Sequence, residues 1–346
     1  MIIKKLSAKK ILASMGDETV EATIEFEGGK TVSASVPAGI SAGKYEVKKS
    51  PPDQAIREIG EIGQAICSKN WSQEDLDKEI SAHGYGGNAT LAVSAAFWKA
   101  EMLKPRPDRG GQVQHDTNKF PKLMMLVFEG GEHGNKNLTM QEFMVVEDSI
   151  TQATKNFRLV REYLENNQIE KTVGAEGGFS PLSFNNDQAI SAIRKVLPEK
   201  LISLDMAGSF GNSAIPENVF SLEDPYDDES WEKWTALTAQ NKYMIVGDDL
   251  VTTNPARIQK ALDLKAVNAV IIKPNQIGTI SQTLKAVAVA RNGGLKIIVS
   301  HRGQETDDAW IADFAVAVLA DYVKFGGMDR GERIAKYNRL RELGMS

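Results

Sequence analysis

The sequence predicts an α/β chain in which a (β/α)8-type TIM barrel follows a small N-terminal α+β domain. Six short apolar runs recur between residues 202 and 326, and each ends in a polar residue. Continuous apolar runs indicate strands buried on both faces, as in a parallel sheet. The polar ends lie 18–28 positions apart, which suits one strand and one returning helix. The preceding part of the chain shows shorter-range alternation instead, and 346 residues allow two domains.

Residues 1–110 are predicted to form the α+β domain. Residues 20–27 and 32–36 alternate apolar and polar side chains on either side of Gly28-Gly29, which predicts a two-stranded hairpin. Helical spacing follows in three stretches, the second of which has Ser72 as its N-cap. Two prolines and two glycines punctuate residues 104–111, so the linker is expected there.

Residues 111–346 are predicted to form the barrel. Its first strand is expected at residues 123–128, followed by a glycine-rich loop that contains His133. Two carboxylates then precede the six regular runs: Glu142 at a strand edge and Glu176 inside a glycine turn. Asn254-Pro255 predicts a helix start, and residues 330–343 predict a terminal helix.

Composition narrows the class of protein. The formal net charge is −5 without a basic run, so nucleic acid is not the expected partner. Cys67 is the only cysteine, which excludes an internal disulfide and fits a reducing, cytoplasmic location. The first residues lack an apolar segment typical of a signal peptide, and no stretch approaches the ~20 apolar residues of a membrane span. A cytoplasmic enzyme without a membrane partner is therefore expected.

The polar ends of the six runs are predicted to form an active-site ring, because catalytic side chains of such barrels lie at the C-terminal ends of the strands. The alternative is that they are ordinary charges where strands meet solvent. The six residues are Asp205, Glu223, Asp248, Lys273, His301 and Lys324.

Three carboxylates of this ring, Asp205, Glu223 and Asp248, suggest a metal site. Oxygen ligands select a hard divalent cation such as Mg²⁺, and three converging carboxylates would otherwise repel one another. Helix-capping or salt-bridging acids are the alternative. The adjacent Asp249 leaves open which of the two aspartates binds the ion.

The remaining candidates suggest acid–base chemistry. A metal and Lys324 nearby would lower the pKa of Lys273 enough for it to act as a base, although a structural partner of an aspartate is the alternative. Glu142 and Glu176 are a candidate acid pair that shares a proton. Together these groups fit removal of a proton α to a carboxylate, with a carboxylic acid protonating the departing group.

Three side chains would bind or enclose the substrate. His301-Arg302 offers a donor and a fixed cation to an anionic group. His133 would close over the site with its loop; on its own, a histidine in a loop is more often a surface residue.

At these residues the chain resembles the enolase family, nearly from end to end. Each motif is short, but their joint order and spacing are specific. The matching motifs are Val36-Pro-Ala-Gly-Ile-Ser-Ala-Gly43, Asn88-Ala-Thr-Leu-Ala-Val-Ser94, Gly130-Gly-Glu-His133, Met140-Gln-Glu-Phe-Met144, Val173-Gly-Ala-Glu-Gly-Gly178, Ser221-Leu-Glu-Asp-Pro225, Gly247-Asp-Asp-Leu-Val-Thr-Thr-Asn-Pro255, Ile272-Lys-Pro-Asn-Gln-Ile-Gly278, Ser300-His-Arg302 and Glu332-Arg-Ile-Ala-Lys-Tyr-Asn338.

The resemblance implies a Mg²⁺-dependent lyase that interconverts 2-phosphoglycerate and phosphoenolpyruvate in glycolysis and gluconeogenesis. It implies two Mg²⁺ ions and a homodimer or larger homo-oligomer. It implies that Lys273 is the base and that Glu176 is the general acid, supported by Glu142 and Gln141. It implies that Asp205, Glu223 and Asp248 bind the first ion and that Ser41 binds the second. The residues it implies for the substrate are Lys324 at the carboxylate, His133 and His301 in the pocket, and Arg302 with Gly303 at the phosphate.

The chain departs from the family pattern at two positions near this site. Gly303 stands where the family usually has a serine whose hydroxyl binds the phosphate, and Ala175 replaces an acid beside Glu176. These changes keep two alternatives open: the same mechanism on another α-proton carboxylic acid, or an enolase-derived binding or scaffold protein with little turnover.

Overall fold

The computed structural model describes residues 1–40, 43–102, 120–208 and 219–346. Among them, a three-stranded antiparallel sheet comes first and a closed eight-stranded barrel follows. The predicted linker and the predicted boundary between residues 110 and 111 fall in 103–119, outside the described residues, so the division into two domains remains a prediction. No described helix combines the length and apolar character that crossing a membrane requires.

The N-terminal sheet contains the predicted hairpin and one strand more. Its strands are β1 (Ile3–Leu12), β2 (Glu18–Phe26) and β3 (Thr31–Ser35), in the order β1-β2-β3. The hairpin pairs Ala22 with Ala34, and both are fully buried, as the alternation predicts. Strand β1 was not predicted, because exposed lysines occupy much of it and it buries only Ile3 completely.

Helices α1 (Pro52–Ile66) and α3 (Gly87–Met102) pack against the sheet, and α2 (Gln73–Ser81) packs against α3. Ser72 caps α2 by accepting a hydrogen bond from the Asp75 amide, as predicted. Helix α3 is buried on nearly every face because it lies between the sheet and the barrel. Its Thr90 donates to the Gly278 carbonyl over 2.8 Å, and its Ser94 accepts from the Ile280 amide over 2.9 Å.

The barrel closes in the order β10-β11-β4-β5-β6-β7-β8-β9. Its first strands depart from regular β/α order, since β5 pairs antiparallel with both β4 and β6. The strands are β4 (Lys122–Glu129), β5 (Glu142–Glu147), β6 (Ile202–Asp205), β7 (Ser221–Glu223), β8 (Met244–Gly247), β9 (Ala269–Ile272), β10 (Lys296–Ser300) and β11 (Tyr322–Lys324). The six predicted runs therefore correspond to β6–β11.

Helices surround this barrel in the described part of the chain. Asn254 caps α7 by accepting hydrogen bonds from two amides of its first turn, with Pro255 at the first position, as predicted. The helices are α4 (Ile150–Asn166), α5 (Asn186–Val196), α6 (Trp231–Thr238), α7 (Pro255–Asp263), α8 (Ile280–Asn292), α9 (Trp310–Ala317) and α10 (Gly331–Glu342).

The antiparallel course of β5 decides which end of that strand reaches the barrel mouth. Because β5 runs against its neighbours, its first residue lies beside their last residues. Glu142 accordingly pairs with Glu129 of β4 and with Asp205 of β6. The mouth formed by the C-terminal ends of the parallel strands thus also receives Glu142.

Candidate active site

The polar strand ends meet in one cleft at the barrel mouth. Except for Glu223, every predicted site residue that the structure describes lines this cleft. They are His133, Gln141, Glu142, Glu176, Asp205, Asp248, Lys273, His301, Arg302, Gly303 and Lys324. Ser41 lies outside the described residues, so its predicted metal contact stays a prediction.

Lys324 lies at the centre of the carboxylates on β5, β6 and β7. Its Nζ is 2.8 Å from Asp205 Oδ2, 2.8 Å from both oxygens of Glu223 and 3.2 Å from Glu142 Oε2. Burial disfavours the ammonium, but the three carboxylates outweigh burial and raise the pKa of Lys324. Lys324 therefore remains charged and holds these acids together.

The carboxylates on β6, β7 and β8 form a crowded, buried group. Asp205 and Glu223 are partners in the strand ladder, and Asp248 follows β8 directly. Burial and then the charge of Asp205 raise the pKa of Glu223 to about 8, despite Lys324. Acids that resist ionising side by side need more positive charge than Lys324 supplies, and oxygen-only donors suit a hard divalent cation. The residues present therefore fit Mg²⁺.

Lys273 pairs with Asp248 in this cleft. The Lys273 ammonium donates to Asp248 Oδ2, and Gln276 donates to the other oxygen of that carboxylate over 3.1 Å. Burial opposes the charge on Lys273, but Asp248 outweighs burial and raises the pKa of Lys273. The carboxylate contact exceeds the repulsion from Arg302 and Lys324, and the lowered pKa that was expected beside a metal ion stays a prediction.

A second acidic group adjoins the first one. Oxygens of Asp224, Asp248 and Asp249 lie within 4.8 Å of one another. Asp224 is already used as an anchor, because its oxygens accept the amides of Asp248 at 3.0 Å and Asp249 at 2.7 Å. Asp249 lines the same cleft, and burial and then Asp248 raise its pKa to about 6. The geometry thus leaves both Asp248 and Asp249 available as ligands.

Glu142 and Glu176 face one another on the other side of the cleft. Their oxygens and a ring nitrogen of His133 lie within 4.8 Å. Burial raises the pKa of Glu142, and the neighbouring Glu176 adds to the effect. Burial acts in the same direction on Glu176, but His133 and His301 outweigh it and lower its pKa. A proton shared by this predicted pair therefore lies mainly on Glu142.

Two histidines flank Glu176. His133 Nδ1 is 3.3 Å from Glu176 Oε2, and only 8% of the His133 side chain is exposed, so it already lies inside the cleft. Arg333 donates to His301 Nδ1 over 2.8 Å. Since arginine cannot accept, Nε2 of neutral His301 carries the hydrogen and faces Glu176 Oε2 at 3.7 Å. Burial and then Arg333 lower the pKa of His301, which keeps that imidazole neutral.

The corner beside Arg302 was not fully predicted. Arg302 forms a two-pronged ion pair with Glu46, at 2.9 and 3.1 Å, and donates to Asn275 Oδ1 at 2.9 Å. A Cβ atom on Gly303 would lie 2.7–2.8 Å from side-chain atoms of Ile40. Glu46 and Ile40 come from the N-terminal part of the chain. Ile40 lies in the motif 36–43, but the sequence did not indicate that either residue contacts Arg302 or Gly303.

The fold and cleft define a barrel whose mouth combines buried carboxylates that could hold a metal ion with a lysine and a pair of carboxylic acids. Residues 117–213 and 198–344 match the family described as enolase, C-terminal TIM barrel domain. Together these matches span 117–344, more than half of the chain. The chain belongs to this family, and its fold and acidic site indicate the lyase-like chemistry of the enolase superfamily.

Proposed function

We propose that this protein is a Mg²⁺-dependent lyase that interconverts 2-phosphoglycerate and phosphoenolpyruvate. One observation carries the proposal. Lys273 follows β9, Glu142 begins β5, and these strands are four positions apart in either direction around the closed barrel. A base and an acid pair thus reach the cleft from opposite sides, as proton removal from one carbon and protonation of a group leaving the next carbon require.

Asp205, Glu223 and Asp248 would hold the cation. When bound, Mg²⁺ neutralises the negative charge that develops on the substrate carboxylate as the α-proton leaves. The protein already holds two of these ligands close together, since Lys324 binds Asp205 and Glu223 over 2.8 Å. Lys324 would also contact the substrate carboxylate.

Lys273 would accept the C2 proton of 2-phosphoglycerate. Its Nζ lines the cleft, and its backbone is fixed by a 2.9 Å hydrogen bond from its amide to Thr253. The ion pair with Asp248 raises the pKa of Lys273. Recruitment of Asp248 as a ligand would remove that stabilising partner and favour the neutral amine.

Glu176 would donate a proton to the departing C3 hydroxyl. Glu142 would supply it, because burial raises the pKa of Glu142 while His133 and His301 lower that of Glu176. Gln141 would support the pair from the cleft wall. The C2–H and C3–O bonds break, the C2–C3 double bond forms, and water leaves.

The anion corner would bind the phosphate. Arg302, with His301 beside it, offers a guanidinium fork to a phosphate group, and the Gly303 amide adds a donor. A phosphate must displace the Glu46 carboxylate, which now occupies two nitrogens of that fork.

A second candidate is the same reaction on a carboxylic acid without a phosphate. Two observations favour it: the Glu46 pair that occupies Arg302, and the apolar Ile40 side chain against Gly303. Together they make this corner smaller and less cationic than Arg302 and Gly303 would make it without these neighbours.

The deciding experiment is to follow absorbance at the phosphoenolpyruvate band after 2-phosphoglycerate and Mg²⁺ are added to the purified protein, with EDTA as control. A metal-dependent rise at ~1–1000 per second supports the first candidate. A flat trace from folded, Mg²⁺-binding protein contradicts it, and non-phosphorylated hydroxy acids would then be screened. Absence of Mg²⁺ binding would contradict both candidates and favour a binding protein.

A further inference from the structure

A buried carboxyl group that the proposed reaction does not use lies behind the acid pair. Glu129 is the last residue of β4 and is fully buried. In the strand ladder it is the partner of Glu142. It therefore touches the strand that carries one member of the pair, and its side chain extends toward the loop that carries the other.

That side chain holds the main chain of Glu176. Both Glu129 oxygens face the Glu176 amide, at 3.0 and 3.3 Å. The Glu129 backbone adds two bonds to the same loop: its amide donates to Phe179 O over 2.9 Å, and its carbonyl accepts from Ser180 Oγ over 2.8 Å. Glu129 thus fixes both the start and the end of the segment 176–180.

The space around this carboxyl group is closed. A Cβ atom on Gly174 would lie 1.8 Å from Glu129 Oε1, so only glycine fits there. The next residue, Ala175, donates its amide to the His133 carbonyl over 2.9 Å. Displacing Glu129 would therefore change the relation between Glu176 and His133, whose side chains are 3.3 Å apart.

The charges around Glu129 indicate how it works. Burial and the neighbouring Glu176 raise the pKa of Glu129 despite Arg330 and Arg333. Arg330 itself is engaged with the Gly174 carbonyl at 2.9 Å. A neutral carboxyl group still presents an acceptor oxygen to an amide, so glutamine can replace it in this role while leucine cannot.

We propose that Glu129 is a positioning residue for Glu176: its acceptor oxygen holds the Glu176 amide and thereby aims the Glu176 carboxyl group at the departing hydroxyl. The inference rests on the proposed function, which gives Glu176 the acid step. It goes beyond that function because it predicts that the two proton transfers can be separated. Glu129 contacts the segment that carries Glu176, which protonates the leaving hydroxyl, and does not contact Lys273, which removes the α-proton.

The test compares Glu129→Gln, Glu129→Leu and Glu129→Met, with Glu147→Leu as the matched control. Glu147 is also a fully buried barrel glutamate, but it binds Asn156 and Lys200 away from the cleft. Two rates are measured for 2-phosphoglycerate in D₂O with Mg²⁺: exchange of the α-hydrogen by NMR, and formation of phosphoenolpyruvate by absorbance. Circular dichroism shows which variants fold. Glu129→Met takes the place of Glu129→Leu if Glu129→Leu does not fold.

We expect Glu129→Leu to lose about 10²-fold in elimination, as a displaced catalytic group does, while α-hydrogen exchange persists because Lys273 is untouched. Glu129→Gln should stay within a few-fold of the parent in both rates. Glu147→Leu should lose thermal stability and keep the parent ratio of the two rates.

Three outcomes would overturn the inference: equal loss of both rates in folded Glu129→Leu, no loss of either, or loss in Glu129→Gln as large as in Glu129→Leu. A parent protein that performs neither reaction contradicts the proposed function instead. Hydrogen exchange at the Glu176 amide then decides the inference: protection should be lost in Glu129→Leu and kept in Glu129→Gln, and unchanged protection in Glu129→Leu would overturn it.

Discussion

At the scale of single residues, the pKa of each acid in the cleft depends on the charged side chain beside it. Asp248 pairs with the Lys273 ammonium, so although burial opposes ionisation the pKa of Asp248 is lowered. For Glu142, burial prevails over Lys324 and the pKa is raised. Both side chains are buried in the barrel mouth, so the partners, rather than burial alone, decide which acid is ionised and which holds a proton.

The role of Lys273 leads to a direct prediction. Lys273→Ala should lower turnover by about 10²–10⁴-fold, because it removes the proposed general base. It should leave Mg²⁺ binding in place, because Asp205, Glu223 and Asp248 remain. Steady-state absorbance gives the first quantity and isothermal titration the second. Lys285→Ala, which changes an exposed lysine of α8, is the control and should match the parent; turnover that survives Lys273→Ala would exclude this lysine as the base.

The corner at Gly303 leads to a prediction about specificity. Gly303→Ser alone should destabilise the protein by about 1–3 kcal/mol, because its Cβ would contact Ile40. Ile40→Ala should relieve that contact, and the double variant should bind 2-phosphoglycerate roughly 10–100-fold more tightly through the added hydroxyl. The KM values of parent, single and double variants form a cycle. Strictly additive effects would show that Ile40 does not restrict this corner.

At the scale of elements, the glycine turn 173–178 depends on the loop that follows β11. The Gly327 amide donates to the Glu176 carbonyl over 2.9 Å. A Cβ atom on Gly327 would lie 2.0 Å from the Gly177 carbonyl oxygen and 2.6 Å from the Gly178 nitrogen. These are backbone atoms, so the turn itself would have to move.

Gly327→Ala should therefore lower kcat by about 10²-fold for a shift near 1 Å and reduce thermal stability, while Mg²⁺ affinity stays close to that of the parent. Gly331→Ala is the matched control, because nothing lies within 4 Å of its Cβ. Kinetics and differential scanning calorimetry provide the two readouts. An unchanged kcat in Gly327→Ala would mean that the turn tolerates displacement.

Strand ends were the best-predicted elements of this protein. Apolar runs with polar ends placed β6–β11, and parallel strands bring their ends to one mouth, so the ring could be predicted from spacing alone. Contacts between distant segments of the chain could not be predicted from the sequence. Glu129 is 47 residues from Glu176 and Glu46 is 256 residues from Arg302, and no local pattern encodes such pairs. The pairing of Lys273 with Asp248 was foreseen only as an alternative for the same reason, since it depends on how the strands meet.

At the scale of the whole molecule, the N-terminal part completes the barrel mouth. Ile40 and Glu46 line the cleft together with side chains of the strand ends. Away from the cleft, Asp77 of α2 accepts the Ser281 amide over 2.8 Å and Lys99 of α3 pairs with Asp308 over 3.0 Å. The site is therefore assembled only when both parts of the chain have folded against one another.

This assembly gathers acids whose charge opposes folding, which makes stability dependent on pH. Burial, with neighbouring acids, raises the pKa of several of them: Glu129, Glu142, Glu223, Asp224 and Asp249. Glu176 and Asp248 shift the other way. For Glu223, the pKa is about 8 in the fold, whereas the ordinary value for a glutamate is 4.5. Between these pH values the folded chain binds the extra proton, so the free energy of unfolding falls as pH rises.

In EDTA, we therefore expect the free energy of unfolding to fall by a few kcal/mol between about pH 5 and 8, since one pKa unit corresponds to about 1.4 kcal/mol. Mg²⁺ binds the ionised carboxylates, so its stabilisation should be larger at pH 8 than at pH 6. Urea denaturation at both pH values, with EDTA or excess Mg²⁺ at matched ionic strength, measures both effects. Glu223→Gln should weaken both the pH dependence of the free energy of unfolding and the stabilisation by Mg²⁺, because the Glu223 carboxylate contributes to both. Loss of one dependence without the other would show that the acid that opposes folding is not the ligand that binds the cation.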